Sequence, residues 1–260
     1  MRQEVVLIKL GGSVITHKEK PMSVNNIAID RILKALASVK VPIILIHGGG
    51  SFGHYWSTKY DMHSKPEKYS SEGIAIVHES MISLNHIIVK SMLKLKMKPY
   101  AVPPFSIILD KKPLGKKIFE LTSMTRDKIT PVTYGDIVYR TPHKYSILSG
   151  DELMSIISSV IKPTKVIFAV NVNGIYKDPY GDEVISLIEE KSSVNFSDVK
   201  FDVTGGMKRK FREALKISLT GIDVHFVNGL KPERILKALG NKKTEGTVIK
   251  GKRSSTRNAW

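Results

Sequence analysis

The stretch from Val5 to Leu10 is apolar on both faces of a would-be pleat and ends in Gly11-Gly12, the pattern of a buried central strand running into a tight turn. Ile29, Ile32, Leu33 and Leu36 then recur at helical spacing, and Pro42 closes that helix before the apolar strand Ile43 to Ile46. This is a β-α-β unit. The second strand runs into HGGGSFGH at 47–54, whose glycine content reads as a loop. Val77, Met81, Leu84, Ile88, Met92 and Leu95 keep one face of a long helix apolar until Pro99, where a short strand through Val102 begins. Between Pro131 and Leu148, short β-like pieces alternate with the turn residues Tyr134-Gly135-Asp136 and Thr141-Pro142-His143, predicting a hairpin over a site.

Ser149-Gly150-Asp151-Glu152 opens the next helix, with Asp151 placed as its N-cap and Leu153, Ile157, Val160 and Ile161 as its apolar face. A strand over 166–170, a helix after Gly206, a strand over 224–227, a helix from Pro232 to Leu239 and a strand over 247–249 complete the chain. Strands alternating with helices predict an α/β protein, a three-layer αβα sandwich around a mainly parallel sheet. Ligands in such sheets bind at the carboxyl ends of the strands. No composition break marks a linker, so residues 1–260 read as a single domain whose halves, 1–155 and 156–260, form two lobes of one sheet.

Composition narrows the chemistry. With no cysteine, disulfides, thiolate metal sites and thiol nucleophiles are all excluded, in keeping with a reducing cytoplasm. Neither the N-terminal apolar stretch nor any other is long enough for a signal peptide or a membrane span, so a soluble cytoplasmic protein is expected. A formal charge of +17 suits nucleic acid, an anionic membrane or a polyanionic substrate. Lys90, Lys94, Lys96 and Lys98 fall near a helix end, where cations favour the dipole, and Lys111, Lys112, Lys116 and Lys117 read as an exposed loop. No aromatic residues interleave with them as stacking platforms, which disfavours nucleic acid.

Three glycine-rich segments carry the candidate chemistry. In Lys9-Leu10-Gly11-Gly12-Ser13, the glycines let backbone N–H groups approach phosphate oxygens while Lys9 adds a point charge; a plain turn is the competing reading. HGGGSFGH is more specific, because four glycines in six residues cost backbone entropy that an ordinary turn does not need. His54 closes this segment and is suited, as an imidazolium, to a phosphate dianion, whereas His47 reads as structural. Thr204-Gly205-Gly206-Met207-Lys208-Arg209-Lys210 opens a helix with three cations, an arrangement the dipole disfavours unless a polyanion sits nearby.

KLGGS, HGGG, SGDE, NVNGIY and TGGMKRK, in this order over nearly the whole chain, resemble the amino acid kinase superfamily. HGGGSFGH, ITHK, GIAIVH and TYGDIV resemble its archaeal-type isopentenyl phosphate kinases. The resemblance implies the amino acid kinase fold, with an acceptor-binding N-terminal lobe and an ATP-binding C-terminal lobe, ATP and Mg2+ as cofactors, a homodimer, and isopentenyl phosphate as acceptor. It further implies that Lys9 and Lys18 neutralise the transferring phosphoryl group and that Asp151 orients them. By the same carry-over, Gly11, Gly12 and Ser13 cradle ATP, and Gly49, Gly50 and His54 hold the acceptor phosphate and the γ-phosphate, with Gly150 beside the acceptor. Asn171, Gly174 and Tyr176 line the adenosine side and Gly206 and Lys210 contact the nucleotide, while Ile74, Val77, Ile137 and Ile147 wall a prenyl tail. Asn171 and Asn173 stand where relatives commonly carry aspartates. Two alternatives stay open: a fosfomycin-type antibiotic kinase, and a non-catalytic, basic nucleic-acid-associated protein on the same fold.

Overall fold

In the computed structural model, residues 3–63, 69–110, 112–140, 144–178, 181–189 and 206–252 are described. The first half of the chain contains β1 (Gln3–Leu10), α1 (Gly12–Ile15), α2 (Asn26–Ala37), β2 (Ile43–His47), α3 (Gly50–Lys59), α4 (Ser71–Lys94), β3 (Pro99–Ala101), β4 (Ile108–Leu109), β5 (Lys112–Pro113), α5 (Gly115–Arg126), β6 (Thr130–Tyr134), β7 (Asp136–Arg140) and β8 (Lys144–Leu148). There follow α6 (Gly150–Ile161), β9 (Pro163–Val170), β10 (Leu187–Ile188), α7 (Gly206–Ser218), β11 (Val224–Asn228), α8 (Pro232–Leu239) and β12 (Thr247–Ile249). Among the described residues, one sheet runs in the order β10-β12-β11-β9-β1-β2-β6-β3. Every neighbouring pair is parallel except β11 with β12. The two halves of the chain meet where β1 pairs with β9, so Lys9 lies between Ile46 and Phe168.

Strand alternation builds the layers. Val5 and Leu7 face one side of the sheet with Leu121, Ile157 and Phe211 of α5, α6 and α7. Val6, Ile8 and Leu10 face the other side with Ile32, Leu84 and Ile235 of α2, α4 and α8. Full burial of each such side chain contributes about 1.5–3 kcal/mol, so the sheet holds its helices mainly through these two cores. A third and smaller cluster stands apart, formed by Met62, Val77 and Ile137 with Trp56, Tyr60, Ile74 and Ile147 packed against it. It lies where α3 and α4 meet the β7-β8 hairpin, which pairs within itself outside the main sheet.

The structure corrects three local expectations. HGGGSFGH is not a loop: α3 begins at Gly50, so His54 projects from a helix. Its glycines serve helix packing, since a Cβ at Gly49 or Gly53 would come within 3.0 or 3.3 Å of Met81 Sδ on α4. Asp151 is not the N-cap of α6; Ser149 is, its hydroxyl accepting from the Glu152 N–H at 3.1 Å. Lys116 and Lys117 open α5 rather than a loop, because Ile118, Leu121 and Thr122 bury one face against the core. Lys111, the turn residues Thr141-Pro142-His143, Thr204-Gly205 and the tail beyond Lys252 lie outside the described residues.

Candidate active site

The carboxyl ends of β1 and β2 open onto a cleft of about 1060 Å³. Two glycine segments meet back to back in its wall. A Cβ on Gly12 would collide with the Gly50 backbone, and Gly50 has a left-handed φ of +49° that favours glycine. Thr16 fixes the contact by accepting from the Ser51 N–H at 2.9 Å and donating to Gly12 O at 2.8 Å. On the opposite wall, a Cβ at Gly135 would come within 2.8 Å of Gly150 N, and one at Gly150 within 3.0 Å of Lys9 Cε. A larger residue at Gly12, Gly50 or Gly135 would meet neighbouring atoms at under 3.0 Å and force a shift, and one at Gly150 would press on His47 O and Lys9 Cε.

Lys9 occupies the last inward position of β1 before the turn and is almost fully buried, its side chain only 4% exposed. Such a cation needs a partner. Asp151, 2% exposed in the first turn of α6, supplies it with Oδ1 at 3.0 Å from Lys9 Nζ. The approach is poorly directed, so Oδ1 makes an ion pair without a well-formed hydrogen bond. Its other oxygen, Oδ2, lies 3.3 Å from Arg209 Nε and 3.9 Å from Lys210 Nζ, both on α7. Burial alone would raise the Asp151 pKa, but Lys9, Lys210 and Arg209 together outweigh it and hold the carboxyl below its ordinary value. Lys210 is pulled down to about 8, first by desolvation and then by Lys9, Arg209 and Lys18, against the opposing attraction of Asp151. One carboxylate therefore organises three cations that together still carry excess positive charge, with Lys18 exposed at the rim of the same cleft.

His54 faces this cluster. Desolvation in the cleft, followed by Arg209, His63, Lys18 and Lys210, lowers its pKa to about 4. The surrounding cations all act in one direction, so even with its exposed side chain the imidazole is neutral at pH 7 in the ligand-free protein. The expected imidazolium thus requires a bound anion to create it. His47 is structural as expected: fully buried, stacked on Tyr134 at 5.4 Å and bonded to Gly48 O and Asn85.

Val77, Ile137 and Ile147 line the other end of the cleft and bring the third hydrophobic cluster to its surface. Lys9, Lys18, His54, Asp151, Lys210, Gly12, Ser13, Gly49, Gly50, Gly150 and Gly206 share the same cavity. Gly11, Ile74, Asn171, Gly174 and Tyr176 do not line it. Gly11 is held against β9 by its N–H to Ala169 O at 2.8 Å, and Ile74 packs behind Val77 in the third cluster. Asn171 stands at the edge, accepting from Ser13 Oγ at 2.9 Å. Asn173, in the position of the second missing aspartate, accepts from Arg234 Nη1 at 2.7 Å and Asn228 Nδ2 at 3.1 Å, so it braces α8 against β11. Sequence reasoning named Arg209 only as one of a run of cations and passed over Thr16, although a hydroxyl four residues beyond Gly12 could have flagged it.

Residues 4–228 match the Amino acid kinase family. The isopentenyl phosphate kinase of Thermoplasma acidophilum is 34% identical over 252 residues, covering 95% of this chain and all of that protein. The isopentenyl phosphate kinase of Methanothermobacter thermautotrophicus is 29% identical, covering 95% of this chain and again all of the relative. A crystal structure of the T. acidophilum isopentenyl phosphate kinase product complex superposes with a TM-score of 0.79 at 31% identity, spanning 95% of this chain and all of that one. With a cleft that gathers cations around one buried carboxylate and full-length likeness to these proteins, the chain belongs to the amino acid kinase family and, within it, to the isopentenyl phosphate kinases.

Proposed function

We propose that this chain transfers the γ-phosphoryl group of ATP to isopentenyl phosphate, giving isopentenyl diphosphate and ADP as a step of cytoplasmic isoprenoid synthesis. One observation supports this reading above the others: a single cleft joins the Lys9, Arg209, Lys210 and Asp151 cluster to an apolar slot lined by Val77, Ile137 and Ile147. A charged end alone suits any phosphoryl transfer, and an apolar end alone suits any greasy ligand. Together they suit an acceptor with a phosphate head and a short hydrocarbon tail.

The reaction needs no general base. An acceptor phosphate is largely dianionic near neutrality, with a second pKa of about 6, so one of its oxygens attacks the γ-phosphorus directly. That P–O bond forms as the bond from the γ-phosphorus to the β,γ-bridging oxygen breaks, and the electron pair leaves with ADP. Catalysis is then positioning and charge neutralisation. Lys9, Lys18 and Lys210 oppose the charge on the transferring group, His54 donates to the acceptor phosphate, and Asp151 stays ionised to hold the cations in place. Among the described residues, no group of three or more His, Asp or Glu side chains could hold a metal ion, and Asp151 is already committed to cations. The donor set therefore fits magnesium carried on the nucleotide's own phosphate oxygens, where it would neutralise their charge. Residues 1–155 supply the acceptor side and 156–260 the nucleotide side, where Asn171, Gly174, Tyr176 and Gly206, with Ser13 reaching across from the first half, complete the ATP site.

A small epoxide phosphonate has no tail for the slot, which weighs against a fosfomycin-type kinase, and an intact reactive set weighs against a non-catalytic nucleic-acid-binding protein. Turnover of magnesium-ATP with isopentenyl phosphate, dimethylallyl phosphate, fosfomycin and UMP tests the reading. Isopentenyl phosphate should give the highest kcat/KM, and a preference for UMP or fosfomycin would overturn the substrate assignment. The protein is also proposed to be a homodimer, which sedimentation equilibrium would check.

A further inference from the structure

His78 on α4 places Nδ1 2.8 Å from Asp136 Oδ2 on β7. Asp136 is buried, lines the cleft and uses its other oxygen to accept from the Ile137 N–H at 2.7 Å. His78 is exposed and does not line the cleft, so it meets Asp136 from behind. The residues next to the pair are the two buried walls of the slot, Val77 on α4 and Ile137 on β7. Among the described residues, the hairpin that carries Ile137 pairs only within itself, so its distance from α4 is set by side chains rather than by a sheet ladder.

Asp136 also presents a difficulty. It is a buried carboxylate in the wall of a cleft meant for two anionic reactants, and left alone it would repel them. We infer that His78 is a positioning residue for the acceptor: by pairing with Asp136 it fixes the gap between Val77 and Ile137 and keeps a negative charge from opposing the incoming phosphate. The inference rests on the acceptor site proposed above. The Asp136 hydrogen bond raises the His78 pKa against partial desolvation, while burial raises that of Asp136 against the opposing pull of His78 and the Ile137 N–H; the 2.8 Å contact keeps the shared proton between the two groups in either case.

The two effects predict an unusual ordering of variants. His78→Ala frees the carboxylate and loosens the gap, and should raise the KM for isopentenyl phosphate about tenfold, while kcat and the KM for ATP stay within about twofold. Asp136→Asn keeps an acceptor for the neutral His78 N–H and should raise it less. The double variant should fall back toward Asp136→Asn, because the charge that repels is gone. A purely structural bond would instead leave the double variant as poor as His78→Ala or worse. Unchanged acceptor KM in His78→Ala, or equal changes in both KM values, would overturn the inference while the wild type still turns over. A wild type inactive on isopentenyl phosphate would remove the acceptor assignment itself. Independently of turnover, NMR titration of His78 should show a midpoint above that of an ordinary histidine, falling in Asp136→Asn; an unmoved midpoint would mean that the pair is not formed in solution.

Discussion

At one end of the cleft, Lys9, Arg209 and Lys210 crowd a single carboxylate, and every charge is fixed by a partner on another element. At the other, Val77, Ile137 and Ile147 offer only shape, on a helix and a hairpin outside the main sheet ladder. The charged end stands on β1 and the first turns of α6 and α7, where displacement by an ångström would expose buried charge. The apolar end is held by side-chain packing and the His78–Asp136 contact rather than by the main sheet. On the proposed assignment, the chemistry rests on the end tied by buried charge and the acceptor preference on the end held by these side-chain contacts.

Substitutions can break that contrast at its strongest point. Lys9→Met removes the most buried cation of the phosphate end and should lower kcat by about 10²–10³-fold with both substrates saturating, as the loss of a preorganised charge does elsewhere. Steady-state assays would check it, and a loss confined to KM would show that Lys9 only binds. His54→Ala should come next, raising the acceptor KM by about 10–100-fold while nucleotide affinity, measured by equilibrium titration, changes by less than about twofold. Equal loss of both would move His54 to the nucleotide side.

The pH profile sharpens the comparison, because Lys210, the lysine drawn down to about 8, belongs to the charged end. With Lys210 held near 8 in the free protein, kcat/KM should decline above about pH 8, approaching tenfold per unit. Lys210→Arg keeps its charge and should flatten that limb even if the maximum is lower. The same shift lowers stability below about pH 8, where folded and unfolded chains both carry the proton, and the deficit is relieved as pH climbs toward 10.5. The smallest effects belong to the slot. Val77→Ala should raise the acceptor KM about three- to tenfold, whereas Ile74→Ala, packed behind the wall, should change it by less than about twofold. Reversal of that order would place the hydrocarbon tail on the far side of α4.

The order of strands and helices was legible because period and punctuation agree along most of the chain, and Pro232 to Leu239 forms a helix with the bounds its spacing predicts. Local rules failed where tertiary contacts overrode them. Four glycines read as a loop, but Gly49 and Gly53 leave room for Met81, and helix packing outweighs their poor propensity. The cap of α6 was legible and misassigned: Ser149 with Glu152 three residues later is a capping-box pattern, and Asp151 drew attention away from it. In the site, the motifs pointed to Lys9, His54, Asp151 and Lys210 because their chemistry is local to each glycine segment. Arg209 could not be singled out from Lys208, since both are exposed and only the pitch of α7 turns Arg209 toward Asp151. Asn173 was equally opaque, because its partners Asn228 and Arg234 are more than fifty residues away.

The neutral imidazole of residue 54 carries a thermodynamic signature of its own. A group kept uncharged by desolvation and by the cations around it will take up a proton when an anion arrives to offset them. Calorimetric heats of acceptor binding should then vary with the ionisation enthalpy of the buffer near pH 6–7, and that variation should shrink in His54→Ala. The enzyme would thus draw part of its complementary charge from solvent at the moment of capture, and hold less of it, at less cost in self-repulsion, while it waits.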